Sequence, residues 1–116
     1  MRSSSFLLTV VMVRVCVSVI GHWVVTYLTH NPGPGRWHVP GAGVQATNLP
    51  GYGFITMGEC WHNNHHAFPE SARIGLYSGE VDPAWVVIRW FRHFGWVSRV
   101  GLPRPTAARG DIADHA

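Results

Sequence analysis

An almost wholly apolar run near the N-terminus limits what this chain can fold into more than any other feature. Residues 6–29 read FLLTVVMVRVCVSVIGHWVVTYLT. A helix of this length rises about 36 Å, which exceeds the thickness of a bilayer hydrocarbon core, about 30 Å. A segment inside lipid must satisfy its own backbone hydrogen bonds, so we expect a helix despite the many valines. A secretory signal peptide is the alternative, but the run is too long and no small-residue cleavage site follows it.

Two polar residues, Arg14 and His22, interrupt this run. An arginine at mid-bilayer costs roughly 2.5–3.5 kcal/mol on insertion scales, so we expect Arg14 to snorkel or to face another helix. A lone membrane span has little use for such a residue. The pattern therefore indicates neighbouring helices.

The remaining sequence predicts an all-α chain with one long loop. Residues 31–53 are rich in Pro and Gly, which excludes helix and strand, whereas residues 54–66 predict a short helix that Pro69 stops. A second helix over residues 82–97 is expected to begin with Asp82 as N-cap and to lie as an amphipathic helix at the membrane interface. The predicted regions are a transmembrane helix (1–30), a loop (31–53), a cytosolic region with the histidine motif and interfacial helix (54–102) and a disordered tail (103–116).

Composition favours a membrane partner over nucleic acid. The chain has a net charge of +3, only 13% charged residues and six Trp. Its arginines are scattered rather than clustered in a basic patch, and four of them lie in the aromatic-rich C-terminal stretch, which is more typical of a lipid-headgroup surface. The two cysteines, Cys16 and Cys60, give no disulfide framework and are expected to be reduced.

The motif that carries chemistry is GECWHNNHHAFPE, residues 58–70. On a helix His62, His65 and His66 stand at i, i+3 and i+4, so their imidazoles project from one face. Neutral imidazole binds iron, zinc and copper well, and three such groups on one turn are costly to bury without a metal or hydrogen-bond partners. Ordinary surface histidines are the alternative interpretation.

The string WHNNHHAFP after GEC resembles the third histidine box of the membrane-bound acyl-CoA desaturases of the stearoyl-CoA type. The upstream pattern GHWVVTYLTHN and the downstream run ARIGLYSGEVDPAWVVIRWFRHFGW are similar to the C-terminal part of bacterial members. The resemblance covers roughly residues 21–102. It implies a di-iron enzyme that uses dioxygen to introduce a double bond into a long-chain acyl group, with ferredoxin or a b-type cytochrome as electron donor and the histidine box on the cytosolic side.

The resemblance also implies roles for single residues. His62, His65 and His66 would ligate iron, and His30 matches the further ligand at the end of the last membrane span. Thr26 stands where eukaryotic members have an Asn that holds a metal-bound water. The candidate supporting residues around these ligands are His22, Thr26, Glu59, Asn63 and Asn64. Two of them have an alternative interpretation that is about as plausible: His22 as a polar residue that faces a neighbouring helix, and Glu59 as an ordinary surface carboxylate.

The sequence departs from the family in one important respect. The first two histidine boxes of the family are absent, so this chain offers four imidazoles to a site that needs more. Three explanations remain open. The chain is a truncated product, one half of a split enzyme that a polypeptide with the missing boxes completes, or a small membrane protein that binds another metal. The alternative function is a non-enzymatic, membrane-anchored protein in which His30 and the box hold a single zinc.

Overall fold

A computed structural model describes residues 2–105 and 110–114 of the chain. Helix α1 (Arg2–Thr29) forms the predicted long apolar helix, and its segment Ser4–Thr29 is long and apolar enough to cross a membrane. Its apolar side chains are exposed along the whole length, from Leu7 at 63% to Tyr27 at 70%. A helix that is apolar all round and covered by no other element suits lipid better than water. The mostly helical architecture confirms the predicted all-α class, apart from one very small sheet.

The loop after α1 is held to the end of that helix by hydrogen bonds. The backbone N–H of Thr47 donates to the carbonyl of Thr29 over 2.8 Å, and the Thr47 hydroxyl donates to the same carbonyl over 3.1 Å. Thr29 is the one described α1 residue that is buried. Within the loop lies strand β1 (Trp37–His38).

The helix that carries the histidine motif is shorter than its sequence predicted. Residues 53–60 form turns, and helix α2 covers only His62–Ala67. Met57 and Gly58 both have positive φ, 55° and 98°, which a right-handed helix does not allow. Position 58 also has no room for a side chain, because a Cβ there would lie 2.6 Å from Asp82 Oδ1.

The small core lies beneath α2. Trp37, Ala67 and Phe68 are buried together, and Leu76, Tyr77 and Ile112 pack against them. Part of the tail reaches this core, because strand β2 (Ala113–Asp114) pairs antiparallel with β1 and Asp114 accepts two hydrogen bonds from the Arg36 guanidinium, 2.8 and 2.7 Å. Within the predicted disordered tail (103–116), residues 113–114 thus form a paired strand, whereas 106–109 and 115–116 lie outside the described residues.

Helix α3 (Pro83–His93) begins as predicted. Asp82 is its N-cap and accepts a hydrogen bond from the Trp85 N–H over 2.9 Å, with Pro83 in the first turn. The second carboxylate oxygen of Asp82 accepts from the N–H groups of Ile74 and Gly75, each over 3.0 Å. The helix ends earlier than the predicted residue 97, because Gly95 turns the chain with φ 74°.

Candidate metal centre

Three of the four predicted histidine ligands converge on one point. His30 follows directly after α1, while His62 and His66 lie one turn apart on α2. One nitrogen from each of these three rings falls within 4.8 Å of the other two. The ring centroids are 4.9 Å apart for His30–His62, 5.3 Å for His30–His66 and 4.7 Å for His62–His66. We call these three residues the histidine cluster.

The spacing within α2 fits ligation of a single ion. The Nε2 atoms of His62 and His66 lie 3.2 Å apart. Two nitrogens bound to one ion at about 2.1 Å are separated by about 3.0 Å at a right angle and about 3.4 Å at a tetrahedral angle. The observed separation lies between these values, so the pair fits one metal ion with little rearrangement.

A backbone carbonyl sets the tautomer of His30. Its Nδ1 lies 2.7 Å from the carbonyl oxygen of Thr26, one turn earlier in α1. A carbonyl only accepts, so Nδ1 carries the proton and the lone pair is on Nε2. Metal-ligating histidines usually have such a partner on the second nitrogen, because it orients the ring and raises its basicity. Thr26 thus contacts the cluster through its main chain.

The electrostatics of the cluster favour neutral imidazoles. The pKa of His62 is lowered to about 4, chiefly by burial and then by the neighbouring His66, His30, His65 and His22 in that order. Burial also lowers the pKa of His66, with contributions from His30 and His65. Both rings are therefore uncharged at neutral pH, which is the form that binds metal.

One nitrogen of the cluster has no hydrogen-bond partner among the described residues. His62 Nδ1 is buried and unpaired. Leaving a buried polar group unsatisfied costs about 1–3 kcal/mol. A ring that binds metal through Nε2 carries its proton on Nδ1, so a hydrogen-bond acceptor from another part of a larger assembly would recover this free energy.

The other predicted site residues lie around the cluster without joining it. The His65 ring is half-buried, with its centroid 5.7 Å from that of His62 and 6.1 Å from that of His66, and its nitrogens lie outside the convergent group. His22 is exposed on α1, two turns before His30. Glu59 is exposed, and its carboxylate makes no hydrogen bond or ion pair with a described residue.

Asn63 bonds to the loop rather than to an imidazole. Its amide accepts from the Trp37 N–H over 2.8 Å and donates to the carbonyls of Trp37 and Ala46 over 2.8 and 2.9 Å. Its own N–H donates to Asn48 Oδ1 over 2.9 Å. The segment 46–48 therefore touches both helices that carry ligands, α1 through Thr47 and α2 through Asn63.

Asn64 joins α2 to the segment that precedes α3. Its Nδ2 donates to the Ile74 carbonyl over 2.9 Å and to Glu80 Oε2 over 2.8 Å. The same Glu80 oxygen accepts from the N–H groups of Leu76 and Tyr77. The sequence marked both asparagines because they lie inside the motif. No pattern indicated Thr47, whose partner Thr29 is distant in the chain, or the contact of Glu80 with the distant Asn64.

Comparisons with known proteins point to one enzyme class. Over 89 residues, 77% of its length, the chain is 38% identical to a delta-9 desaturase-like protein of Arabidopsis thaliana, of which it spans 29%. It is 37% identical over 81 residues, 70% of the chain, to an acyl-CoA 5-desaturase of Anemone leveillei, of which it spans 24%. It is 46% identical over 56 residues, 48% of the chain, to a probable chloroplastic lipid desaturase of Arabidopsis thaliana, of which it spans 16%.

No protein-family model matches the chain, and no solved structure does. The chain spans less than a third of the length of these curated relatives. The apolar helix and the desaturase relatives together support membrane association. Over about 70% of its length, this chain is thus homologous to one part of proteins named as desaturases.

Proposed function

We propose that the chain is the C-terminal part of a membrane-bound, di-iron fatty acyl desaturase, and that His30, His62 and His66 bind iron. The convergence of three imidazoles, one just after the end of α1 and two on α2, carries this proposal. Sequence similarity to acyl-CoA desaturases supports the enzyme class and a long-chain acyl substrate.

The residues of this chain act by holding and orienting ligands. His62 and His66 present neutral nitrogens from one face of α2, and the Thr26 carbonyl fixes His30 so that Nε2 faces the cluster. Iron held by these residues would supply the dioxygen chemistry that removes two hydrogens from an unactivated methylene pair, with electrons from ferredoxin or a b-type cytochrome. The protein contributes orientation and a dry environment at the end of the apolar helix, with the cluster on the cytosolic side of the membrane.

His65 is proposed as a ligand of the second iron. It lies next to the cluster on α2, yet its nitrogens do not share the point on which the other three converge. The second ion then needs further ligands from outside the residues described. A polypeptide that carries the first two histidine boxes of the family would supply them, and this chain alone would be inactive. A shallow cavity of ≈ 310 Å³ beside His30, lined by Trp23, Tyr27 and Asn31, leaves that side of the cluster open.

Metal analysis of the purified chain tests this proposal. We expect iron after expression together with a polypeptide that carries the other boxes, and loss of most of that iron in His66→Ala. His93→Ala is the matched control, because His93 is an exposed histidine on α3 outside the cluster. Unchanged iron content in His66→Ala would show that the ligand assignment is wrong.

A non-enzymatic zinc-binding membrane protein is the alternative. Three imidazoles that meet at one point, with an open position beside them, also suit a single tetrahedral zinc. One zinc per chain, with no uptake of iron in the presence of the other boxes, would favour this alternative over the desaturase.

A further inference from the structure

Helix α3 turns its apolar face outward. Val86, Trp90 and Phe94 are 49%, 67% and 62% exposed, while Trp85 and Ile88 on the other side are half-buried. A helix on a water-facing surface has the reverse arrangement, with its apolar stripe toward the core. This face of α3 therefore needs an apolar or interfacial environment.

The turn after α3 extends the exposed face. Gly95 has φ 74°, and the N–H of Trp96 donates to the Phe91 carbonyl over 2.9 Å. This turn folds the Trp96 ring back beside the helix, with its centroid 5.5 Å from those of Phe91 and Phe94. Trp96 remains 73% exposed. The result is a compact group of aromatic rings, and Trp is a residue that concentrates at membrane–water interfaces.

Unpaired positive charge lies in the same stretch of the chain as these rings. Arg89, Arg92 and Arg99 are exposed, and no described carboxylate forms an ion pair with any of them. Arg36 and Arg104, in contrast, pair with Asp114 and Glu70. Residues 83–105 contain no Asp or Glu. This excess of arginine complements an anionic partner. We call Trp90, Phe94 and Trp96 with Arg89, Arg92 and Arg99 the aromatic–arginine surface.

The position of α3 relative to α1 identifies the partner. The N-cap Asp82 packs against Gly58, and Val81 packs against Gly53, so α3 begins on the turn formed by residues 53–60. That turn and the α1 segment from Val17 to Leu28 line a shared groove of ≈ 690 Å³. The turn also exposes Phe54 and Ile55, 77% and 82%. An apolar band therefore continues from the second half of the membrane helix to the start of α3.

The backbone of this turn suits a position at the edge of the hydrocarbon. The N–H groups of Thr56, Met57 and Gly58 donate to the carbonyls of Tyr52, Phe54 and Gly53. The Thr56 hydroxyl donates to Tyr52 as well and accepts from the Cys60 N–H. Non-helical backbone is costly in lipid when its polar groups lack partners, and here these groups satisfy each other.

We propose that the aromatic–arginine surface lies on the lipid headgroups beside α1 and binds anionic phospholipids. The rings enter the boundary between headgroups and acyl chains, and the arginines contact phosphates. The surface would hold α2 and its histidines at a constant height above the bilayer. This inference rests on membrane insertion of α1 and not on the metal assignment, so each can fail without the other.

Spin-label accessibility in the full-length chain tests the location. Cys16→Ala removes the exposed thiol, buried Cys60 stays in place, and Phe94→Cys carries the nitroxide in nanodiscs of phosphatidylcholine with phosphatidylglycerol. We expect the label at 94 to meet oxygen more readily than a water-soluble nickel complex. A label at Ser78→Cys, exposed in the turn that precedes α3, is the control and should favour nickel.

Two outcomes would overturn the location. Nickel access at position 94 equal to that at position 78 would place the surface in water. Protection from both oxygen and nickel would mean that protein covers the surface instead of lipid. A Trp90→Cys label repeats the measurement should Phe94→Cys fail to fold.

The charge requirement has its own test. Replacing phosphatidylcholine nanodiscs by anionic ones should raise the ratio of oxygen to nickel accessibility at position 94 severalfold in the parent chain. The triple variant Arg89→Gln, Arg92→Gln, Arg99→Gln should lose this dependence, whereas Arg104→Gln, whose arginine already pairs with Glu70, should keep it. The same dependence in the triple variant would refute recognition of anionic headgroups by these arginines.

Discussion

Replacing Asn63 by Leu should separate α2 from the loop that holds it. The two side chains are similar in volume, so the change removes hydrogen bonds without leaving a large cavity. It leaves the N–H and C=O of Trp37 and the C=O of Ala46 without their Asn63 partner, in residues that are only 4% and 3% exposed. Asn63 itself is 1% exposed, so water does not replace the amide directly.

The size of the effect follows from these three groups. Each buried polar group that loses its partner costs about 1–3 kcal/mol. Local relaxation lets some water reach the carbonyls, so we expect a loss of about 3–5 kcal/mol. This is a large part of the total stability of a small domain, about 5–15 kcal/mol. Because α2 carries His62 and His66, affinity for metal should also fall about 10- to 100-fold, as it does when residues that orient ligands are lost.

Gln45→Leu is the matched control. Gln45 lies in the same loop and makes two hydrogen bonds of 2.9 Å with the backbone of Val39, but it touches neither α1 nor α2 by a hydrogen bond. Its partners are only partly buried, so the loss should be about 1 kcal/mol, with metal affinity unchanged.

Urea denaturation in detergent micelles, followed by near-ultraviolet circular dichroism, measures the stability, and competition with a chelator measures the metal affinity. Equal losses of stability in the two variants would refute the role of Asn63 as the connection between α2 and the loop. Full metal affinity in a folded Asn63→Leu protein would refute the link between this connection and the histidine cluster.

Four further outcomes follow from single contacts. Gly58→Ala should lower the free energy of unfolding in urea by about 1–3 kcal/mol, because position 58 has φ 98° and the added Cβ would meet Asp82. Gly79→Ala is the control for backbone strain alone, because position 79 has φ 89° but open space for a Cβ. Asp82→Ala should lower the free energy of unfolding by about 2–4 kcal/mol in the same assay, because the N-cap of α3 is lost and two further N–H groups lose their acceptor. An unchanged urea midpoint would contradict this. Between pH 6.5 and about 4 the unfolded chain protonates His62 before the folded chain does, so stability should fall as pH is lowered through this window, and a flat profile in metal-free protein would contradict the lowered pKa. Arg36→Gln should speed hydrogen exchange in β1, because β2 is no longer anchored through Asp114; unchanged exchange would show that pairing of the strands needs no such anchor.

The histidine motif illustrates how far local spacing can be trusted. The i and i+4 relation of His62 and His66 follows from helix geometry alone, and the structure places them on one face of α2. The same reasoning placed His65 in the convergent group, but the third ligand nitrogen of that group comes from His30. The 31 residues between His30 and His62 contain no periodic pattern, so only the packing of the loop defines how the two helices approach each other.

The predicted helix over residues 54–66 failed for a related reason. Its composition permits a helix, and Gly58 alone costs such a helix about 1 kcal/mol. The contact between Gly58 and Asp82 favours the turn instead, and these residues are distant in the chain. Propensity is a weak local preference, and close packing of Gly58 against Asp82, with positive φ at Met57 and Gly58, overrides it.

The sequence by itself determined the elements whose causes are local: the apolar helix, from its length and composition; the beginning of α3, from Asp82 and Pro83; and the shared face of His62 and His66. Only the tertiary structure decided which histidines meet, that Asn63 and Thr47 connect the two helices that carry them, and that the end of the tail pairs with β1. The physical reason is that each of these contacts joins residues far apart in the chain. Such contacts depend on burial and on complete hydrogen bonding of the folded chain, which no short window of sequence contains.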